Sequence, residues 1–452
     1  MGDLILLNLI ISVMSISFIG NLIVTGECLS CINDYRINGI LHGTHYLSKI
    51  SLFRALHSFK VRVVSIYLRL LILVAFFTQF IYFNYTGDYL GFAQYIHYYL
   101  IFNLAYLLYD FSRSPFGLDG AEQLNLLVTV SLLIGLSISD SALYVSLYFI
   151  FCQVIFSYAI AGISKAFGFK WRSGIALTEI MRTYTYGNFW FYSFLKGNPR
   201  VAKFITVFTW VWESFTLLAF YSKLWIIVTA ALGFAFHLTN AMIIGLNNFL
   251  WAFCSTYPIL YYFSHVDLDF NVFRDNYQLT VFYTLWLILT CLIQFNTKSL
   301  DWIRRLDKFN LLPTWTFFAP NPMVNDYYIY YCVRDEQNLD PQNIEWFPIN
   351  VNHDRHISHI FWNPEKRKSK AFIDMVQSIL DISREHPSDV TVYSSPYIAL
   401  SLYIEQSIMG SNVPTENMGF QYLVMQNVGY EQEAFQMDEN NLVFRSAFHP
   451  FD

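Results

Sequence analysis

Apolar positions in this chain seldom recur at a helical spacing between polar ones; they run on without interruption. Such runs occupy residues 4–24, 61–84, 89–109, 122–136 and 142–165. Three more fit between 204 and 263, and a last one at 279–295. Each comes near the 20 residues that cover roughly 30 Å of hydrocarbon, and many are rich in Phe, Tyr and Trp. The pattern predicts an all-α polytopic membrane bundle of about eight or nine transmembrane helices. The first run is long for a signal-peptide core and lacks a basic leader, so it reads as a retained helix.

Beyond Lys298 the pattern changes to charged residues, prolines and polar stretches. Three regions are expected: an N-terminal membrane helix with a polar connection (1–60), the transmembrane bundle (61–298) and a smaller C-terminal mixed α/β polar domain (299–452). Within the last, "WNPEKRKSKAFIDMVQSIL" opens with Asn-Pro and sets Ala371, Phe372, Met375, Ile379 and Leu380 along one face, which predicts an amphipathic helix. The runs "DYYIYYCV" and "VTVYSS" predict strands.

Composition agrees with a membrane class: 55% of the 452 residues are hydrophobic, 19% aromatic and 13% charged, and the mean hydropathy is +0.37. The lipid bilayer is the expected partner. The net charge of −5 is spread thinly, with no basic block interleaved with aromatics, which argues against nucleic acid. Six cysteines do not make a disulfide framework, and Cys152, Cys254 and Cys291 fall in apolar runs where the thiol acts as a small hydrophobe.

Four residues stand out against this background. Lys165 ends the run 142–165, Glu213 sits within "FTWVWESFTLLAF", and His237 and Asn240 lie within "GFAFHLTNAMIIG". A lysine at a helix end can snorkel to the headgroups. Ionisable groups inside spans more often face a bundle interior, a partner or a cavity, and a desolvated lysine offers a neutral amine as a base. The predicted arrangement is convergence of Lys165, Glu213, His237 and Asn240 on one cavity.

The string "FSYAIAGISKAFGFKWRSG" resembles the Ile-Ala-Gly-x-x-Lys stretch of the vitamin K-dependent gamma-carboxylase, whose membrane region belongs to the HTTM group. Its catalytic lysine matches Lys165; the preceding lysine of the family is Ser164 here. "FHLTN" resembles the family's Phe-His-x-x-Asn at His237 and Asn240, Phe249 matches a downstream aromatic position, and Glu213 an upstream acid. "WTFFAPNP" (315–322) and "FGLDGAEQ" (116–123) resemble strings of bacterial HTTM proteins.

The resemblance covers residues 51–326. It implies a multi-pass protein of the bacterial cytoplasmic membrane, with a reduced quinone such as menaquinol or vitamin K hydroquinone as cofactor and oxygen and carbon dioxide as co-substrates. It further implies Lys165 and His237 as catalytic residues, Asn240 and Glu213 as cofactor-binding ones, and a peptide or protein substrate. The animal enzyme's large exoplasmic region has no counterpart of comparable size after residue 326. Other HTTM proteins resemble the sporulation-delaying protein B group, which implies instead a non-carboxylating maturation, export or binding factor for a small peptide.

Two histidine clusters point less clearly to chemistry. Cys28, Cys31, His42 and His45 are spaced C-x2-C-x10-H-x2-H, which departs from the common zinc pattern, and the two-residue gap is short for helical ligands. A redox pair and a zinc site both rank behind two interfacial cysteines beside unrelated histidines. His353, His356 and His359 read as a polar turn or strand rather than a metal site. Basic residues gather at 27–60, 165–203 and after 298. With nine spans this places those segments in the cytoplasm, whereas the animal enzyme's lysine faces the lumen, so sidedness stays open from sequence.

Overall fold

The computed structural model describes residues 2–42, 56–87, 89–113, 116–295, 300–335, 344–349, 356–386, 388–410, 418–431 and 439–451. Among them, six helices are long and apolar enough to cross a membrane: Ile5–Ser30, Phe59–Thr86, Gly120–Ile138, Asp140–Phe167, Pro199–Phe220 and Lys223–Ile243. This is the organisation of a multi-pass membrane protein.

The helices used below are α1 (Gly2–Ser30), α2 (Phe59–Thr86), α3 (Tyr89–Arg113), α4 (Gly120–Ile138), α5 (Asp140–Phe167), α6 (Pro199–Phe215) and α7 (Lys223–Ile243). They continue with α8 (Asn247–Cys254), α9 (Tyr257–His265) and α10 (Tyr277–Ile293), and then with α11 (Pro364–Glu385) and α12 (Ser395–Met409) after the bundle. One apolar run is therefore split into α8 and α9. Pro258 lies in the first turn of α9 and has no N–H for the carbonyl one turn back. The hydroxyls of Ser255 and Thr256 instead bond Ala252 and Phe253 carbonyls.

Helix α5 is the centre of the bundle. Its most apolar window is 83% buried, against 28% for α2, α6 and α7. Small residues on α5, among them Ala142, Ser146, Ala159 and Gly162, let neighbouring backbones come close, which is how helices associate where lipid removes the hydrophobic drive between them. The polypeptide reverses between α4 and α5 at Ser139, whose hydroxyl accepts from Ala142 N at 3.1 Å.

The ends of α1, α3, α5, α7 and α10 meet the starts of α2, α4 and α8 on one face, tied together by Arg62–Asp110, Glu27–Asn247 and Gln294–Trp315 contacts. The tail docks here. At the opposite end Lys223 pairs with Asp267, and Asp269 N donates to the Tyr144 hydroxyl.

The tail is an antiparallel five-stranded sheet with α11 and α12 on one face. The strands are β1 (Asp326–Arg334), β2 (Phe347–Ile349), β3 (Gly419–Asn427), β4 (Leu442–Arg445) and β5 (His449–Pro450), in the order β2-β1-β3-β4 with β5 also on β3. "DYYIYYCV" forms β1 as its alternation predicts. Ile329 and Tyr331 face the helices, while Tyr328 and Tyr330 face the bundle's Tyr184. The predicted amphipathic helix is α11, and its five apolar positions are all buried.

One expectation fails. "VTVYSS" is not a strand: Ser388–Val392 is a helical turn leading to α12. Thr391 is buried while Val390 and Tyr393 are exposed, so the β-branched alternation does not match the burial. The segment 315–322 packs against the bundle. Trp315 is fully buried, its backbone N–H donates to Gln294 Oε1 at 2.8 Å, and the Phe318 carbonyl accepts from Trp171 Nε1 at 2.9 Å.

The contact between tail and bundle carries a buried ionic network. Asp110 accepts from Arg62 at 2.7 Å and from Arg367 of α11 at 3.2 Å. Arg367 also reaches Glu122 at 2.8 Å, and Lys366 reaches Asp119 at 2.9 Å. Burial opposes the charge on Asp119, yet the Lys366 ammonium and local hydrogen bonds outweigh it and hold the carboxyl below its usual range. Removing one member of such a set strands its partners, which costs about 3–5 kcal/mol. Arg367→Met should therefore lower the thermal midpoint of the detergent-solubilised protein markedly. Arg384→Ala, at an exposed pair, should leave it in place.

Candidate functional site

Lys165, Glu213, His237 and Asn240 line one cavity of about 380 Å³ between α5, α6, α7 and the tail face. On α5, Lys165, Ala161 and Tyr158 follow one another at four- and three-residue steps, so all three face the cavity. His237, Asn240 and Ile244 do the same on α7. Phe249 and Phe253 of α8 close one side. Gly120, Gln123, Trp315 and Phe317 close another, so the strings at 116–123 and 315–322 reach the same place as those at 156–174 and 236–240.

Lys165 Nζ donates to both carboxylate oxygens of Glu213, at 2.7 and 2.6 Å, and both side chains are almost wholly buried. The ammonium also lies 5.2 Å from the Trp171 ring centre and 5.9 Å from that of Phe236. A snorkelling lysine would reach outward; this one is turned inward onto an acid. Gly162 makes the pairing feasible. A Cβ there would stand 2.4 Å from Ser214 N and 2.7 Å from Glu213 Cβ, so only glycine lets α6 approach α5 this closely.

His237 stacks on Phe253 with centroids 4.2 Å apart, and its Nε2 lies 2.9 Å from the Tyr158 hydroxyl. Asn240 is half-buried one turn further along. The chemistry available is that of a proton-holding Lys–Glu pair and an imidazole facing a largely aromatic enclosure. The pair is net neutral whether the proton rests on nitrogen or on oxygen.

Sequence reasoning missed Tyr158, Tyr257 and the tail's contribution. Lys366, Ser369 and Lys370 of α11 line the cavity, with Lys366 5.4 Å from the Phe249 ring centre. Their spacing put them on one helical face, which was the available signal. The cysteine pair lies elsewhere. Cys31 Sγ donates to the Glu27 carbonyl at 3.0 Å, and Cys28 Sγ accepts from Tyr35 and Arg62. His42 sits against the Tyr35 carbonyl at 3.3 Å, whereas His45 and His353 lie outside the described residues. His356 and His359 form a short capped turn. Among the described residues no group of three or more His, Cys, Asp and Glu side chains is placed to hold a metal.

Two measurements check this geometry. Gly162→Ala should destabilise the protein by about 1–3 kcal/mol through overpacking, read as a lower unfolding midpoint, because the nearest obstructing atom is the Ser214 backbone nitrogen. Burial, with the neighbouring Cys28 thiol adding to it, pushes the Cys31 thiol up to about 12. In a variant retaining only Cys28 and Cys31, maleimide at neutral pH should label Cys31 only after denaturation.

No family model, no curated protein and no solved structure matches this chain.

Proposed function

We propose that the cavity binds the headgroup of a reduced quinone, and that Lys165 and His237 act on its oxygens in a carboxylase-like or oxygenase-like reaction on a peptide or protein. What supports this reading is the convergence of four separate stretches of chain on one largely aromatic cavity with a buried Lys–Glu pair in its wall. At about 380 Å³ its size falls within the roughly 300–1,000 Å³ usual for small-molecule sites. The rings of Phe236, Phe249 and Phe253 suit the faces of a flat bicyclic head.

A bound quinol supplies two reducing electrons and two ionisable hydroxyls, with oxygen and carbon dioxide as co-substrates. Lys165 in its amine form, beside a protonated Glu213, takes a proton from a ligand hydroxyl. The resulting ammonium then faces the oxygen that lost it. Asn240 and His237, one turn apart on α7, orient ligand oxygens, and the aromatic wall keeps water from the basic centre.

We further propose that α3, the α8–α9 pair and α10 also cross the bilayer, bringing the spans to nine among the described residues. The bilayer would be a bacterial cytoplasmic membrane. Lys170, Arg172, Lys196, Arg200 and Lys203 cluster on the tail side, whereas Asp267, Asp269 and Asp275 lie at the other end, which favours a cytoplasmic tail.

Lys165→Arg tests the reading. A guanidinium can still pair with both oxygens of Glu213, so the fold is kept, but it cannot give up its proton. Consumption of reduced menaquinone or vitamin K in membranes with equal amounts of folded protein should fall at least about a hundredfold. Dependence on bicarbonate would mark carboxylation, and consumption without it oxygenation. Full activity in the arginine variant would make Lys165 an anchor and favour a non-carboxylating maturation, export or binding factor.

A further inference from the structure

Behind His237 runs a short chain of hydroxyls. Its Nε2 is 2.9 Å from Tyr158 Oη, which is 2.9 Å from Tyr257 Oη. Tyr257 Oη has Tyr158 as its hydrogen-bond partner and no other among the described residues, and His237 Nδ1 is buried with none. Space for the two hydroxyls exists because residue 233, one turn before His237, is glycine. A Cβ there would stand 2.6 Å from Tyr158 Oη and 2.7 Å from Tyr257 Oη.

Two bonds in series can point either way. If Nε2–H donates to Tyr158 and Tyr158 donates to Tyr257, the last hydroxyl hydrogen has no acceptor and Nδ1 keeps a bare lone pair. If Tyr257 donates to Tyr158 and Tyr158 donates to Nε2, both hydroxyl hydrogens are used, and the imidazole proton must sit on Nδ1. Each direction leaves one donor over, the Tyr257 hydroxyl in the first and Nδ1–H in the second; only the second puts it on a residue of the cavity wall, where a ligand oxygen can accept it. Stacking of the imidazole on Phe253 fixes the ring plane. What then lacks a partner is a single N–H on a residue lining the cavity.

We propose that Tyr158, accepting from Tyr257 and donating to Nε2, is a positioning residue that holds His237 as a neutral imidazole protonated on Nδ1, a donor for a carbonyl or hydroxyl oxygen of the ligand in the cavity. The inference rests on the quinone reading for the identity of that ligand. The direction of the hydrogen-bond chain stands apart from it.

The test uses the full-length protein in nanodiscs, labelled with ¹⁵N-histidine, with the His237 signals identified by their loss in His237→Gln. The wild type should show a protonated Nδ1 and an unprotonated, hydrogen-bonded Nε2. Tyr257→Phe should keep this pattern, since Tyr158 still has only Nε2 to donate to, whereas Tyr158→Phe should move the proton toward Nε2. A wild-type proton on Nε2 overturns the proposal whatever the variants do. In parallel, the affinity of a short-chain menaquinone, followed by tryptophan quenching, should drop about tenfold in Tyr158→Phe, the loss of one hydrogen bond's worth of binding. Equal affinity in wild type and Tyr158→Phe also overturns it. A wild type with the expected protonation that binds no menaquinone supports the positioning role and defeats the quinone reading instead.

Discussion

Asp110 joins three parts of the chain that share no sequence neighbourhood. One carboxylate oxygen takes Arg62 at the start of α2 and the other takes Arg367 from α11, while the carboxylate itself belongs to the end of α3. Two guanidinium groups around one carboxylate would repel each other without further acids, and Glu122 supplies one to Arg367. The tail is therefore held in part by charge placed where the bundle meets it. Asn363 adds a polar latch, donating its backbone N–H to Glu27 at 2.7 Å and its amide to the Gly245 carbonyl at 2.9 Å. The cavity depends on this docking, because Lys366, Ser369 and Lys370 of the docked helix are part of its wall.

The same economy of charge operates deeper in. A bundle in lipid cannot leave an ammonium or a carboxylate without a partner, and α5 and α6 solve this by bringing Lys165 and Glu213 together across a glycine contact. The tail's own core extends into the membrane domain's first connection: Cys28, Tyr35, Ile40 and Leu41 pack with Phe372, Val376 and Ile404. Regions that composition separates are thus continuous in packing.

Hydrocarbon demands about twenty apolar residues per crossing, so the long helices were plain in the sequence, as was the oddity of Lys165, Glu213 and His237 among them. Their convergence on one cavity was readable because a buried charge limits where a helix face can point. The break at Ser255–Thr256 was not, since an apolar run conceals which carbonyls lose their partners to Pro258. Val390 to Val392 misled for a related reason: β-branched residues set a preference, and over so short a stretch the neighbouring helices outweigh it. Tyr158 and Tyr257 stayed hidden among 32 tyrosines, because nothing local separates a tyrosine that holds a histidine from one that fills space. The spacing of Lys366, Ser369 and Lys370 marked one face of α11 but not where it docks, because its partners, Asp110, Asp119 and Glu122, lie some 250 residues earlier.

That separation has a consequence for biosynthesis. Glu27 and Asn363 are 336 residues apart, so the ribosome has made every apolar helix before the group that completes the Glu27 site leaves the exit tunnel. Until then Asp110 has Arg62 but not Arg367, Glu122 lacks Arg367, and the pocket lacks the part of its wall that Lys366, Ser369 and Lys370 supply. Insertion into the bilayer and closure of the pocket are therefore separate events in time.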